Sequence, residues 1–461
     1  MDETQVPRKR RRRWLRFVVA CGLFLLLLLV AGLIFDVIAG RELNRALAEA
    51  EKSGPVRFED LEAQRAVWPP EANGALLVLA VSERLKDKLE PLSSDEVLPL
   101  VGKAKPGPVG ELWSTETDQA VAQMIETIAP ELAELDRLRD FQGGRFPLTV
   151  TSPLADFLLP HLSEARSCVR IKSLQALHDA THGRADTLPE HLAIMHTLGR
   201  MFEDEPTLIS SMVWIACDTL AVSTVQQVLG MATLDPSGLA RLDAELASMD
   251  APDRTRWGLR GERAFFIDMV DCLRRTGQTG MEVNLPIRPL LPGLRGWLMH
   301  EQAFGVQQLN RIVAADNPRA RLAVAREQVR ELNALPAYYV FCRLLMPAFE
   351  RSIEREMRIT ALIRAARVGV AVERYRIEHN AMPATLEALV PAYLDGIPAD
   401  PFSEQPLRLT VHDDRLVIYS VGADLTDDGG DVSPQWGSHP EGGDAGFILL
   451  PAEQRPTKPR R

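Results

Sequence analysis

The longest uninterrupted apolar run lies near the N-terminus, where Phe17 to Phe35 carries no formal charge and is closed by Asp36. About 20 apolar residues rising 1.5 Å each cross a ~30 Å hydrocarbon core. The pattern therefore predicts a membrane-spanning helix over residues 17–39. Residues 41–50 are polar and helix-favouring, and they read as a stalk leaving the membrane before Pro55 and Pro69-Pro70 interrupt the chain. Apolar positions then recur with helical spacing over 73–89, 118–138, 154–182, 188–202, 207–231, 235–248, 260–275, 296–313, 318–335 and 348–379. Few segments before Leu407 alternate as a strand would.

After His379 the pattern changes. Met382-Pro383, Pro391, Pro398 and Pro401 punctuate short segments. Residues 407–411 and 415–419 alternate with period two around His412-Asp413-Asp414, which predicts a hairpin. The Gly- and Pro-rich tail ends in Lys458, Arg460 and Arg461 and is expected to be poorly ordered. The expected fold is a membrane-anchored, mainly α chain. It divides into a basic cytoplasmic tail (1–16), a transmembrane signal anchor (17–39), an α-helical extracytoplasmic domain (40–345), a small α+β domain (346–436) and a disordered tail (437–461). Residues 166–201 read as a helical hairpin, but no fixed repeat period accompanies them, so irregular helical packing is favoured over a repeat array.

Charge orients this scheme. Seven positive charges fall within the first sixteen residues, in the run 8–13 and at Arg16, although the formal net charge is −10. The positive-inside rule keeps that end cytoplasmic and sends the rest across, to the periplasmic side of a bacterial envelope. A cleaved signal ending near Ala39-Gly40 and a lipoprotein signal at Cys21 are weaker readings, because the apolar core is too long and Cys21 comes too early in it. The acidic remainder offers no electrostatic reason to bind nucleic acid. Cys168, Cys217, Cys272 and Cys342 sit in apolar helical patterns. They read as buried thiols, and their spacing selects none of the three possible pairings.

The main candidate site is the run Asp424-Leu-Thr-Asp427-Asp428-Gly-Gly-Asp431. Its carboxylates repel one another unless a cation or water intervenes, and its glycines permit the sharp turns that wrap an ion. Hard oxygen donors in a flexible loop suit calcium, with a solvated acidic turn as the alternative. A second candidate is His178-Asp-Ala-Thr-His182, whose two imidazoles share a helix face as a zinc pair does. A metalloprotease needs Glu after the first His, where this chain has Asp179, and spacing identifies no third ligand among His161, His191 and His196. There is no Gly-x-Ser-x-Gly, phosphate loop or Cys-x-x-Cys. Glu262 and Asp268, with Arg260 and Arg263 beside Glu262, read as buried ion pairs between helices rather than a catalytic dyad.

Residues 358–436 resemble the major pseudopilin, the G subunit, of type II secretion systems. The resemblance runs in order through the helix end Val372-Glu-Arg-Tyr-Arg-Ile-Glu-His-Asn380, then Met382-Pro-Ala-Thr-Leu-Glu-Ala-Leu389. It continues through Ile397-Pro-Ala-Asp400-Pro401-Phe402 and the corner Ile418-Tyr-Ser-Val-Gly-Ala-Asp424 with its acidic loop. It implies an α+β module in which Asp424, Asp427 or Asp428, and Asp431 hold a structural calcium. The family's leader, with Gly at the cut and an early Glu in its membrane helix, has no counterpart here, so processing and assembly into a pseudopilus are not implied.

Together these readings lead us to expect a non-catalytic, membrane-anchored envelope protein with a scaffold or secretion-accessory role and protein partners in the envelope. A helical-repeat adaptor and a hydrolase hidden in the helical domain are the alternatives. No small-molecule substrate is identifiable from the sequence.

Overall fold

A computed structural model of the chain describes residues 8–150, 158–250, 253–277, 293–435 and 442–456. It is 67% helical, which places it in the mainly α class, with one small antiparallel sheet. In chain order the helices are α1 (Arg8–Lys52), α2 (Phe58–Ala63), α3 (Gly74–Leu89), α4 (Thr115–Thr127), α5 (Ala129–Leu135), α6 (His161–Thr181) and α7 (Leu188–Arg200). They continue as α8 (Leu208–Met231), α9 (Pro236–Met249), α10 (Arg256–Thr276), α11 (Leu294–Ala314), α12 (Pro318–Ala334) and α13 (Val340–His379). The expected run 118–138 splits into α4 and α5, with Ile128 between them and Pro130 in the first turn of α5. Polar side chains start many of the helices. Asn73, Ser114, Thr207, Asp235 and Asn317 each accept a backbone N–H from the first turn that follows. Left-handed Gly277 and Asn380 end α10 and α13.

The first helix is one rod with two surfaces. No residue from Arg13 to Ile38 is buried. From Ala39 onward the stripe Ala39, Leu43, Ala46 and Ala50 is buried. Its spacing of four, three and four residues faces one neighbour, α11. Asp36 Oδ1 accepts the Gly293 N–H at 3.0 Å, and His300 Nδ1 lies 2.9 Å from Glu42 Oε2. The expected stalk is thus helical but docked along α11. The other long apolar helix, α8, lies largely inside the protein, so length and composition alone do not separate a core helix from an anchor.

The 40-residue α13 runs through both large cores. Its first half (Cys342, Met346, Phe349, Ile353, Met357) packs with the end of α1 and with α10, α11 and α12. Its second half (Ile359, Leu362, Ile363, Ala366, Val370) packs against α8, α9 and the sheet, in the core that α3–α7 also share. The boundary expected at 345/346 therefore falls inside a continuous helix, and the C-terminal segment closes the same core as the helical body.

Strands β1 (Arg408–His412), β2 (Arg415–Ser420) and β3 (Ala445–Leu449) pair antiparallel in that order, with Leu409 opposite Ile418 and Ile418 opposite Phe447. The hairpin forms as expected, but His412 belongs to β1, and the turn is the two residues Asp413 and Asp414, both at positive φ. Leu416, Ile418, Phe447 and Leu449 face α13, while Val417, Tyr419, Ile448 and Leu450 cover Val109 on the other side. Strand β3 corrects the expectation of an unordered tail from 437. It is buried at every position, and the buried Arg455 beyond it pairs with buried Glu373 of α13 at 2.6 Å. Trp436 and residues 437–441 and 457–461 of the expected tail lie outside the described residues.

Candidate functional site

Three places in the structure gather chemistry. The acidic loop follows β2. Asp400, a buried residue in the turn before β1, accepts from Ser420 Oγ at 2.7 Å and from the Phe402 N–H at 2.9 Å, which fixes the corner from which the loop departs. Within the loop, Asp427 is already engaged: it pairs with Arg408 and accepts from Tyr419 Oη at 3.0 Å and from the Gly429 N–H at 3.0 Å. Asp431 is exposed. Asp424 and Asp428 are exposed as well, but they lie beside the Gly442-Gly443 backbone.

The partner that sequence reading missed there is Asp444. It is 2% exposed, and its Oδ2 accepts the Gly430 N–H at 2.7 Å. Its Oδ1 is buried without a hydrogen-bond partner. Burial, together with repulsion from Asp428 and Asp424, raises its pKa above the ordinary carboxylate value. An unbonded buried carboxylate oxygen is a polar group that the fold leaves unsatisfied. Asp424 and Asp428 are the loop acids that repel Asp444, yet the three carboxylates do not bring ligand atoms within 4.8 Å of one another, and Asp427 is spent on Arg408. The sequence signal for Asp444 was Gly442-Gly443 followed by a short apolar run, the mark of a turn into a buried strand.

The second place is the histidine pair. His178 lies in the last turn of α6 and His182 caps its C-terminus. The third group that spacing did not identify is Asp118, in the first turn of α4. His178 Nδ1 is 3.5 Å from Asp118 Oδ1, and His182 Nε2 is 3.5 Å from Asp118 Oδ2. These are the only three His, Cys, Asp or Glu side chains among the described residues whose ligand atoms all lie within 4.8 Å of one another. Asp179 is turned elsewhere, accepting from His191 Nε2 at 2.9 Å and from Arg184, and so is not placed as a general base. His161 pairs with Glu205 at 3.0 Å, and His196 sits 3.9 Å from Asp218.

The third place is a half-open cavity of about 570 Å³ between α6, α8 and α13, with Leu100 and the Ala423/Gly442 corner in its lining. Its floor is apolar, made by Val169, Met212, Ile215, Leu220, Ile359 and Leu362. Five arginines stand around that floor: Arg166, Arg170, Arg351, Arg355 and Arg358. The only acid in the lining, Glu354, is held by Arg326 at 2.7 Å. Burial, then the adjacent Arg166, lowers the pKa of Arg170. Cys217, also in the wall, is fully buried and its thiol is pushed far up by burial, so it is no nucleophile. Arg166 and Arg170 of α6 stand more than 180 residues from the three arginines of α13 in the chain, so no local motif announces them.

The expected ion pairs of Glu262 take a different form. Its Oε1 accepts the Leu208 N–H at 3.2 Å and so caps α8, while Arg263 reaches Ser53 Oγ, Asn310 Oδ1 and the Pro55 carbonyl. Each group satisfies backbone or neutral partners from another helix rather than its neighbour in sequence. Cys168, Cys217, Cys272 and Cys342 are buried free thiols. No family, curated protein or solved structure was found to match this chain.

Proposed function

We propose that the chain is a non-catalytic, membrane-anchored envelope protein whose helical body holds an amphipathic anion. The observation that carries this reading is the arginine-ringed cavity. Five arginines line it around an apolar floor, Arg358 donating to the Gly443 carbonyl, and its single carboxylate is paired with Arg326. Such a site matches a ligand with a carboxylate or phosphate head and a hydrocarbon body. Its lining pairs no nucleophile with a base.

Attachment to the membrane is supported by the exposed apolar surface of α1, which none of the described residues buries, behind an arginine-rich start. Near its far end Trp297 donates to the Tyr338 carbonyl at 3.2 Å, and Tyr338, Val340 and Leu344 are exposed. Aromatic and apolar side chains at that level suit the membrane–water interface. In this reading the arginines stay cytoplasmic and the body lies in the periplasm. The C-terminal module is a pseudopilin-like scaffold for envelope partners, stiffened when calcium draws Asp424, Asp428 and Asp444 together.

Dodecyl phosphate binding to the full-length protein in a non-ionic detergent tests the cavity. Arg170→Gln with Arg351→Gln should weaken binding at least about tenfold, because each charge-assisted hydrogen bond contributes about 1.5–3 kcal/mol. Equal affinity of the double variant and the wild type would remove the reading.

A further inference from the structure

The Asp118, His178 and His182 cluster is independent of the cavity, the acidic loop and membrane attachment. Its polar atoms are arranged in a way that hydrogen bonding leaves incomplete. His182 Nδ1 lies 2.8 Å from the His178 carbonyl oxygen and donates to it. That bond places the proton on Nδ1 and leaves the Nε2 lone pair directed at Asp118 Oδ2. On the other side, His178 Nδ1 and Asp118 Oδ1 are both buried without a hydrogen-bond partner. Two ring nitrogens thus confront one carboxylate at 3.5 Å, longer than a charge-assisted hydrogen bond of about 2.7–2.9 Å.

Protonating both rings is a poor remedy. The ring centroids are only 4.1 Å apart, so two imidazolium charges would repel strongly. A divalent ion resolves the geometry. Tetrahedral zinc bonds N and O at about 2.0–2.1 Å, which separates its ligand atoms by about 3.3 Å. The two 3.5 Å separations, each to a different oxygen of Asp118, lie close to that edge, and one ligand atom from each of the three residues lies within 4.8 Å of the other two.

We propose that Asp118, His178 and His182 form a zinc site that fastens the first turn of α4 to the C-terminal end of α6. The fourth position opens to solvent past His182, the most exposed of the three side chains. The bond from His182 Nδ1 to the His178 carbonyl is the outer-shell contact that orients a zinc-bound imidazole. The partial negative charge at the C-terminus of α6 favours a cation there. A fastening is also what α4 lacks, since it buries only Val121 and Met124. With Asp179 engaged by His191 and Arg184, no base stands beside the site, and its role is structural rather than hydrolytic.

The test uses full-length protein in detergent, stripped with chelator and titrated calorimetrically with zinc, with cobalt(II) as a spectroscopic substitute. The expected result is one zinc per chain at a Kd of about 1 µM or tighter, a tetrahedral cobalt spectrum, and slower amide exchange in α4 on loading. His182→Gln, at a part-exposed position that should fold normally, is expected to weaken zinc at least about 100-fold, and Asp118→Asn at least about tenfold. Asp424→Asn with Asp428→Asn should leave zinc binding unchanged. Absence of zinc binding by the wild type, or binding that survives His178→Gln with His182→Gln, overturns the site.

Discussion

Glu301 gives a prediction whose size can be worked from the structure. It lies on α11 and is 1% exposed. Its Oε1 accepts the N–H groups of Phe341 and Cys342 in the first turn of α13, so it caps that helix from outside, while its Oε2 is buried without a partner. Burial outweighs the two backbone donors and His300, and raises its pKa from the ordinary 4.5 to about 7. Below pH 4.5 the group is protonated in both the folded and the unfolded chain and has no effect on the balance. As pH rises toward 7 the unfolded chain releases its proton while the folded chain keeps it, so stability falls. Above 7 the loss is complete, on the order of 3 kcal/mol. Glu301→Gln keeps an acceptor for the two N–H groups and abolishes the titration. The variant should match the wild type at pH 4 and exceed its stability by roughly 3 kcal/mol at pH 8, measured by denaturant unfolding of the detergent-solubilised protein. Parallel pH profiles for the two proteins would refute the reasoning.

Two further outcomes follow from packing and charge. Gly261 on α10 meets the Pro206 backbone so closely that an added Cβ would lie 1.7 Å from the carbonyl oxygen; Gly261→Ala should destabilise by at least about 2–3 kcal/mol, seen as a lower unfolding midpoint, because backbone cannot rotate aside. Calcium should raise the melting temperature of the wild type, and Asp424→Asn with Asp444→Asn should abolish that rise; identical melting with calcium and with chelator would remove calcium from the loop.

The helices were legible because each carries its own signals. Apolar spacing, a capping Asn, Ser, Thr or Asp, and a terminal Gly or Asn are properties of ten or twenty consecutive residues, and α3, α7, α8, α9, α11 and α12 lie close to where those signals place them. The hairpin of β1 and β2 was legible for the same reason. Strand β3 was not, because five buried residues between glycines and a proline show no alternation, and such a run becomes a strand only when an edge is offered to it. The boundary expected at 345/346 lies within α13, because apolar spacing over 348–379 does not say where that helix begins or what it covers.

The sites divide along the same line. The acidic run and the histidine spacing are local, so the sequence alone nominated Asp424, Asp428, His178 and His182. Asp444, Asp118 and the arginine ring became partners only when distant segments converged, since Coulomb forces and coordination act over a few ångströms of space regardless of separation along the chain. Tertiary packing also decided which nominated groups are available, by committing Asp427 to Arg408 and Tyr419 and Asp179 to His191 and Arg184. Residue order determined which segments are helical and which surface of α1 is greasy. Which charges stand unpaired was settled by the fold, because pairing is a matter of neighbours and most neighbours here are remote in sequence.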